Sequence, residues 1–258
     1  MLEWIRRRRR QRTLLRRAIP HAVWAQTLAQ FPFLAWREVA DVERLRVMAT
    51  LFLADKEFTG TRGFEVDDAK AVAIAAQACL PVLRLGLEYY DSFVGIVVHA
   101  DAVVAQREVM DEDGIVHAYE EELSGEAMQG GPIMLSWSDV QAGAADASLG
   151  YNVVIHEFAH VLSMRGGRSD GVPRLPNRTE REVWARALGE LYDAYCDAVD
   201  ELADGVLDPY AAHSIEEFFA VASEAFFVAP LRLEHEMAEL YALLRDLYGQ
   251  DPSQHCPG

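Results

Sequence analysis

Cysteine is scarce in this 258-residue sequence, at Cys79, Cys196 and Cys256 only. The three are odd in number, far apart and free of any C-x-x-C spacing. That excludes a disulfide framework, argues against thiol-held zinc, and points to a reducing compartment, so a cytoplasmic location is expected. No run of 18 apolar residues occurs, and no membrane span is predicted. Internal repeats and long low-complexity linkers are also missing. Basic charge is sparse outside the first 17 residues, which carry eight arginines and one acid, Glu3; the remaining 241 residues hold 16 basic against 40 acidic side chains, a balance of −24. Phosphate binding needs a basic surface, so direct nucleic-acid binding is not expected of this body. The arginines at 6–10, 12, 16 and 17 look like the start of a signal peptide. However, Pro20, His21, Gln26, Gln30 and Pro32 interrupt the apolar region that should follow, and no small-residue cleavage site stands out. Residues 1–35 are therefore read as a basic, solvated, partly disordered tail and lead-in segment, with weak contact to an anionic membrane or docking to an acidic partner as the sharper alternatives, and residues 36–254 as one domain.

Hydrophobic periodicity predicts helices over residues 38–56 and 67–80, with a further helical turn over 82–87. Thr59 to Gly63 reads as a turn. Short β-branched runs predict strands at 93–98, 115–119 and 132–137, with a turn at Asp111 to Gly114. Pro132 at the start of the third run marks it as an edge strand, able to add an extended peptide backbone to the sheet. After a polar loop from Arg165 to Arg178, Thr179-Glu180-Arg181-Glu182 matches a capping box that opens a helix to about Asp200. Helices over 215–228 and 233–248 follow, and a loose tail begins at Gly249. The fold class expected is α+β, mostly helical, with a small mixed sheet ahead of the central motif.

That motif is His156-Glu157-Phe158-Ala159-His160, H-E-x-x-H, inside an apolar run. On a helix, positions i and i+4 share a face, so two imidazoles one turn apart can hold a single Zn²⁺. Glu157 can then serve as general base toward metal-activated water. A catalytic zinc takes a third protein ligand. A histidine at position 166 would make the extended Met-turn motif, but the residue is Gly166. Glu180 has the right distance downstream, yet its place in a helix first turn explains it as an acid favoured by the helix dipole. Glu217 lies on the strongly apolar segment 215–227, where a carboxylate is costly unless paired or bound to metal. Glu224, seven residues later, shares its face and is a candidate for pairing with a substrate amine or with a basic residue.

Glu217-Phe218-Phe219-Ala220 at this spacing after the H-E-x-x-H run resembles the zincins of the anthrax lethal-factor type. The sequence is more closely similar to the Mlc titration factor A family of bacterial zinc metallopeptidases. The similarity runs from about Trp36 to Gln254 and includes Cys79-Leu80-Pro81-Val82-Leu83, Gln129-Gly130-Gly131-Pro132-Ile133, Gly171-Val172-Pro173 and Tyr210-Ala211-Ala212. The resemblance implies a zincin-like fold and one Zn²⁺ per chain, with His156, His160 and Glu217 as ligands and Glu157 as general base. It also implies that Tyr210 is a hydrogen-bond donor to the oxyanion. Peptide substrates, aminopeptidase action and binding of the transcriptional repressor Mlc, a link to sugar uptake, follow from the same likeness. The lethal-factor pattern has a second Glu four residues after the ligand Glu. Here that position is Val221, so a partner orienting the ligand histidines must come from elsewhere.

Overall fold

The computed structural model describes residues 2–110, 116–123, 125–127, 131–145, 150–164, 171–199 and 205–257. The expected turn at 111–114, residues 165–170 of the expected loop and Asp200 lie outside them.

Helix α1 (Leu2–Arg17) stands where a partly disordered tail was expected, and it lies against α3 (Val39–Asp55). Between them comes α2 (His21–Gln30). The expected turn at 59–63 is in its first part strand β1 (Glu57–Gly60), because its backbone pairs in parallel with β2 (Gly95–His99), Phe58 opposite Ile96. The turn proper follows, with Arg62 at φ 52° and Gly63 at φ 84°. Helix α4 (Asp68–Cys79) starts where Asp67 accepts the backbone N–H of Lys70 at 2.9 Å. That is an N-cap.

Two sheets form, not one. Strands β3 (Val103–Met110) and β4 (Val116–Leu123) make a separate antiparallel ribbon, so the strand expected at 115–119 is not part of the main sheet. The main sheet is mixed and also contains β5 (Gly125–Ala127) and β6 (Ile133–Ser136), in the order β1-β2-β6-β5. The segment expected at the edge, 132–137, is thus an interior strand. β2 pairs with β6 in parallel and β5 pairs with it antiparallel. Pro132 is tolerated because it precedes the ladder, where no N–H is required. Trp137 leaves the strand and begins α5 (Trp137–Ala145), with the Ser136 hydroxyl accepting the N–H of Asp139 at 3.3 Å.

The central helix α6 (Val153–Met164) is apolar on nearly every side; Val154, Ile155, Phe158, Ala159 and Leu162 are buried. Phe158 sits among Phe52, Tyr90 and Phe93, with its ring centroid 4.9 Å from that of Tyr90. Truncating such a side chain typically costs about 3–5 kcal/mol. This aromatic cluster fixes the rotation of α6 about its own axis and so decides where the two histidines point.

Helix α7 (Arg178–Ala198) is capped two residues earlier than expected. Asn177, not Thr179, accepts the N–H of Glu180 at 2.9 Å, and its amide donates back to the Glu180 carboxylate at 2.7 Å. Helix α8 (Ile215–Val228) begins at its Ser214 cap and packs on α6. The last expected helix is two helices, α9 (Pro230–Glu236) and α10 (Ala238–Tyr248), broken at Met237 with φ −138° and ψ 61°. Pro230 fits the first turn of α9, where its missing N–H has no partner to lose. The tail is not loose. Gln250 donates to the carbonyl of Leu80 at 2.8 Å, and Tyr241 donates to Asp251 at 2.7 Å. Among the described residues no helix is long and apolar enough to cross a membrane.

Candidate active site

Asn152 starts α6. Its side chain accepts the N–H of Ile155 at 2.9 Å, while its amide donates at 2.8 Å to Gln77 of α4. The cap is buried, so the first turn of the motif helix is positioned by hydrogen bonds as well as by packing.

On the exposed side of α6, His156 Nε2 and His160 Nε2 are 3.1 Å apart. Glu217 of α8 brings Oε2 to 3.0 Å from His156 Nε2 and 3.3 Å from His160 Nε2. A tetrahedral ion with bonds of about 2.05 Å separates its ligand atoms by about 3.3 Å, close to each edge of this triangle. Glu217 Oε2 is buried and makes no hydrogen bond of proper geometry. Two imidazole nitrogens and a carboxylate oxygen converging at these distances are the donor set of a cation. These residues therefore fit a metal ion. Glu180, the alternative ligand, is exposed at the start of α7 and is not among the grouped donors.

Glu224 lies behind the triangle. It is 2% exposed, accepts from His156 Nδ1 at 2.7 Å with Oε1, and takes the backbone N–H of Asn152 with Oε2. Both oxygens are used inside the protein, and of the two partners expected for Glu224 the structure contains the basic residue, His156. Glu224 also supplies the orienting partner that Val221 could not, three residues further along α8. This carboxylate-to-histidine contact fixes which ring nitrogen faces the triangle. Burial works against a charged His156, but Glu224 and Glu217 overcome it and hold the imidazole well above the usual histidine range. Burial likewise pushes Glu224 up, with His156 opposing. For Glu217 burial is outweighed by the two histidines, and its carboxyl falls well below the usual range.

Glu157 is 5% exposed, and its Oε2 has no hydrogen-bond partner among the described residues. Burial raises its carboxyl above the usual range, with His156 and His160 opposing. The edge strand β5 passes close beside it. A Cβ placed on Gly125 would lie 2.5 Å from Glu157 Oε1, so any larger residue here must displace the strand or the Glu157 side chain. Tyr210 is on a 3₁₀ turn, Pro209–Ala212, at the rim. Tyr195 of α7 donates to the carbonyl of Asp208 at 3.1 Å and Tyr192 to that of Ala212 at 3.0 Å, fastening both ends of the turn. The Tyr210 ring is 47% exposed, 6.3 Å from the His156 ring and parallel to that of His213.

The structure thus brings His156, Glu157, His160, Glu217 and Tyr210 to one site and puts Glu224 behind it. Sequence reasoning missed Asn152, Gln77 and Gly125. For Asn152 a signal existed, an N-cap residue immediately before an apolar run. For Gln77 and Gly125 the signal is purely tertiary.

Helix-borne histidines, a carboxylate from α8 and a small mixed sheet with its edge strand beside them make this a zincin-like metallopeptidase fold. The chain belongs to the glucose-regulated metallo-peptidase M90 family, which it matches over residues 4–249. It is 37% identical over 234 residues to Mlc titration factor A of Salmonella typhimurium, covering 90% of this chain and 87% of that protein. It is also 37% identical over 235 residues to Mlc titration factor A of Salmonella arizonae, covering 90% of this chain and 92% of that one. The family match begins at Trp4, just ahead of the arginine run and well before Trp36, where the resemblance read from the sequence began.

Proposed function

We propose that this protein is a zinc-dependent aminopeptidase acting in the cytoplasm. The observation that carries the reading is the triangle of His156, His160 and Glu217 donors beside a buried, partnerless Glu157 oxygen. A zinc ion held by that triangle would supply a Lewis acid that acidifies water and polarises the scissile carbonyl. Glu157 takes the water proton and delivers it to the leaving amine; its raised proton affinity suits both halves of that task. Tyr210 donates a hydrogen bond to the oxyanion as it develops. Glu224 holds His156 in the tautomer that turns Nε2 toward the donor triangle. The exopeptidase preference rests on the resemblance, and Glu224 is not its anionic recognition point.

A second role is supported by the name of the relatives, Mlc titration factor A. We propose that this chain also binds an Mlc-type transcriptional repressor and through it influences sugar uptake. The substitution Glu157→Gln separates the two roles. It should retain one zinc per chain and repressor binding while abolishing release of p-nitroaniline from alanine p-nitroanilide. Hydrolysis at the wild-type rate would overturn the mechanism. Equal cleavage of the N-acetylated substrate would replace the aminopeptidase reading with an endopeptidase one. Repressor binding with no turnover by the wild-type protein would leave the non-catalytic, sequestering role.

A further inference from the structure

The arginine-rich helix α1 has no part in the site above, yet it is built with two distinct faces. At about 100° per residue, Trp4 and Leu15 lie about 20° apart around the helix and about 16 Å apart along it. Both point away from the body; Trp4 is 57% exposed and Leu15 86%. Arg8 lies within the same arc, its guanidinium 4.2 Å from the centroid of the Trp4 ring, and Arg12 flanks it. The opposite side is turned inward. Thr13 and Leu14 are half-buried, and α1 lies against α3. Arg9 and Arg10 line a cavity of about 410 Å³ whose other walls carry Asp55, Glu88 and Asp91. Arg9 and Arg10 are themselves exposed and share that cavity with acids of the body, forming no ion pair with them among the described residues. Among the described residues, the outward Arg8 and Arg12 are in no ion pair.

We propose that the outward face of α1 is a docking surface for an anionic lipid membrane. The charge argument alone would admit any polyanion. The apolar pair decides between them: Trp4 and Leu15 would stay wet against a nucleic-acid backbone, but at a headgroup boundary they enter the acyl region while Arg8 and Arg12 beside them reach the phosphates. The body, at −24 outside the first 17 residues, is repelled by the same surface. That repulsion is screened beyond about 8 Å at physiological salt, so contact is confined to the projecting helix. The proposal does not rest on the peptidase reading, and its test needs no metal or substrate.

The experiment is co-sedimentation of the full chain with vesicles of phosphatidylglycerol and phosphatidylcholine, at roughly a 3:7 ratio, against phosphatidylcholine alone. Binding is expected only to the anionic vesicles. Arg8→Gln with Arg12→Gln should weaken it about fivefold per arginine. Trp4→Ala with Leu15→Ala should weaken it at least about tenfold, since two apolar side chains lose their buried environment. All four side chains are exposed, and circular dichroism of each variant checks that the fold is intact. Any of four results overturns the proposal: equal binding to neutral vesicles or none to either, wild-type binding by the Trp4 and Leu15 variant, tighter binding to a DNA duplex than to anionic vesicles, or arginine-dependent self-association in place of lipid binding.

Discussion

Glu224→Gln probes the site from behind the donor triangle. The carboxylate has two donors to satisfy, His156 Nδ1 at 2.7 Å and the backbone N–H of Asn152, and solvent reaches almost none of it. Glutamine keeps the shape but offers one acceptor and one donor. The Asn152 N–H cannot change, so the amide oxygen must stay with it and the NH₂ group must face His156. Two responses remain. His156 can keep its Nδ1 proton, leaving two donors opposed in a buried place, at about 1–3 kcal/mol. Alternatively the ring can move the proton to Nε2, which turns an N–H toward the donor triangle and removes a lone pair from the metal site. Either route disfavours the metal-bound form, and loss of such an orienting partner typically costs about 10–100-fold in affinity. Competition with a chromophoric chelator would measure that change, and thermal melting of the metal-free variant would measure the stability loss. Zinc affinity within twofold of wild type would refute the tautomer argument. If zinc stayed bound while free-amine substrates alone lost affinity, Glu224 would be a substrate residue after all.

Three further outcomes follow from particular contacts. Tyr210→Phe should lower kcat by about 10²–10³ with KM and zinc content unchanged, as for loss of an oxyanion donor; an unchanged kcat would remove Tyr210 from the chemistry. Gly125→Ala should force the Glu157 carboxylate aside and cost about 100-fold in kcat while zinc stoichiometry holds, and wild-type turnover would show that the strand simply gives way. Asp67 is held below the usual carboxylate range by the side chain and backbone of Lys70. A depressed carboxyl contributes stability above its unfolded value of about 3.9 and loses it as pH falls through the folded one. Asp67→Asn keeps the cap and loses the exposed ion pair. The variant should be a few tenths of a kcal/mol less stable than wild type at pH 7, with the gap closing under acid in urea melts; a gap that widened would reverse the sign argument.

The helices were legible where a one-sided or fully apolar pattern followed a residue able to cap its start, as at Asp67 and Ser214. The sheet was read less well, because strand pairing is non-local. Nothing in Glu57-Phe58-Thr59-Gly60 announces a strand until Gly95–His99 lies alongside it. Pro132 suggested an edge, but it merely precedes an interior strand whose true edge neighbour, β5, is three residues long. The arginine run carried too little apolar periodicity to predict a helix; packing against α3 provides its partner.

The third donor shows why one part of the site stayed open at the level of sequence. Asn177-x-x-Glu180 and Ser214-x-x-Glu217 are the same local pattern, a capping residue followed three places later by glutamate. At the first, the pattern closes on itself, with Asn177 and Glu180 exchanging hydrogen bonds. At the second, only half of it forms. Ser214 accepts the N–H of Glu217 at 3.2 Å, but the Glu217 carboxylate turns away from the cap toward His156 and His160. Local propensity is nearly equal at the two helices, and what differs is the neighbour. Asn177 and Glu180 face solvent, so nothing competes with the reciprocal cap. Opposite Ser214, the Phe158 cluster holds α6 so that two imidazole nitrogens converge on the first turn of α8. Spacing from the motif named both glutamates as candidates, and the packing of α6 on α8 distinguishes them.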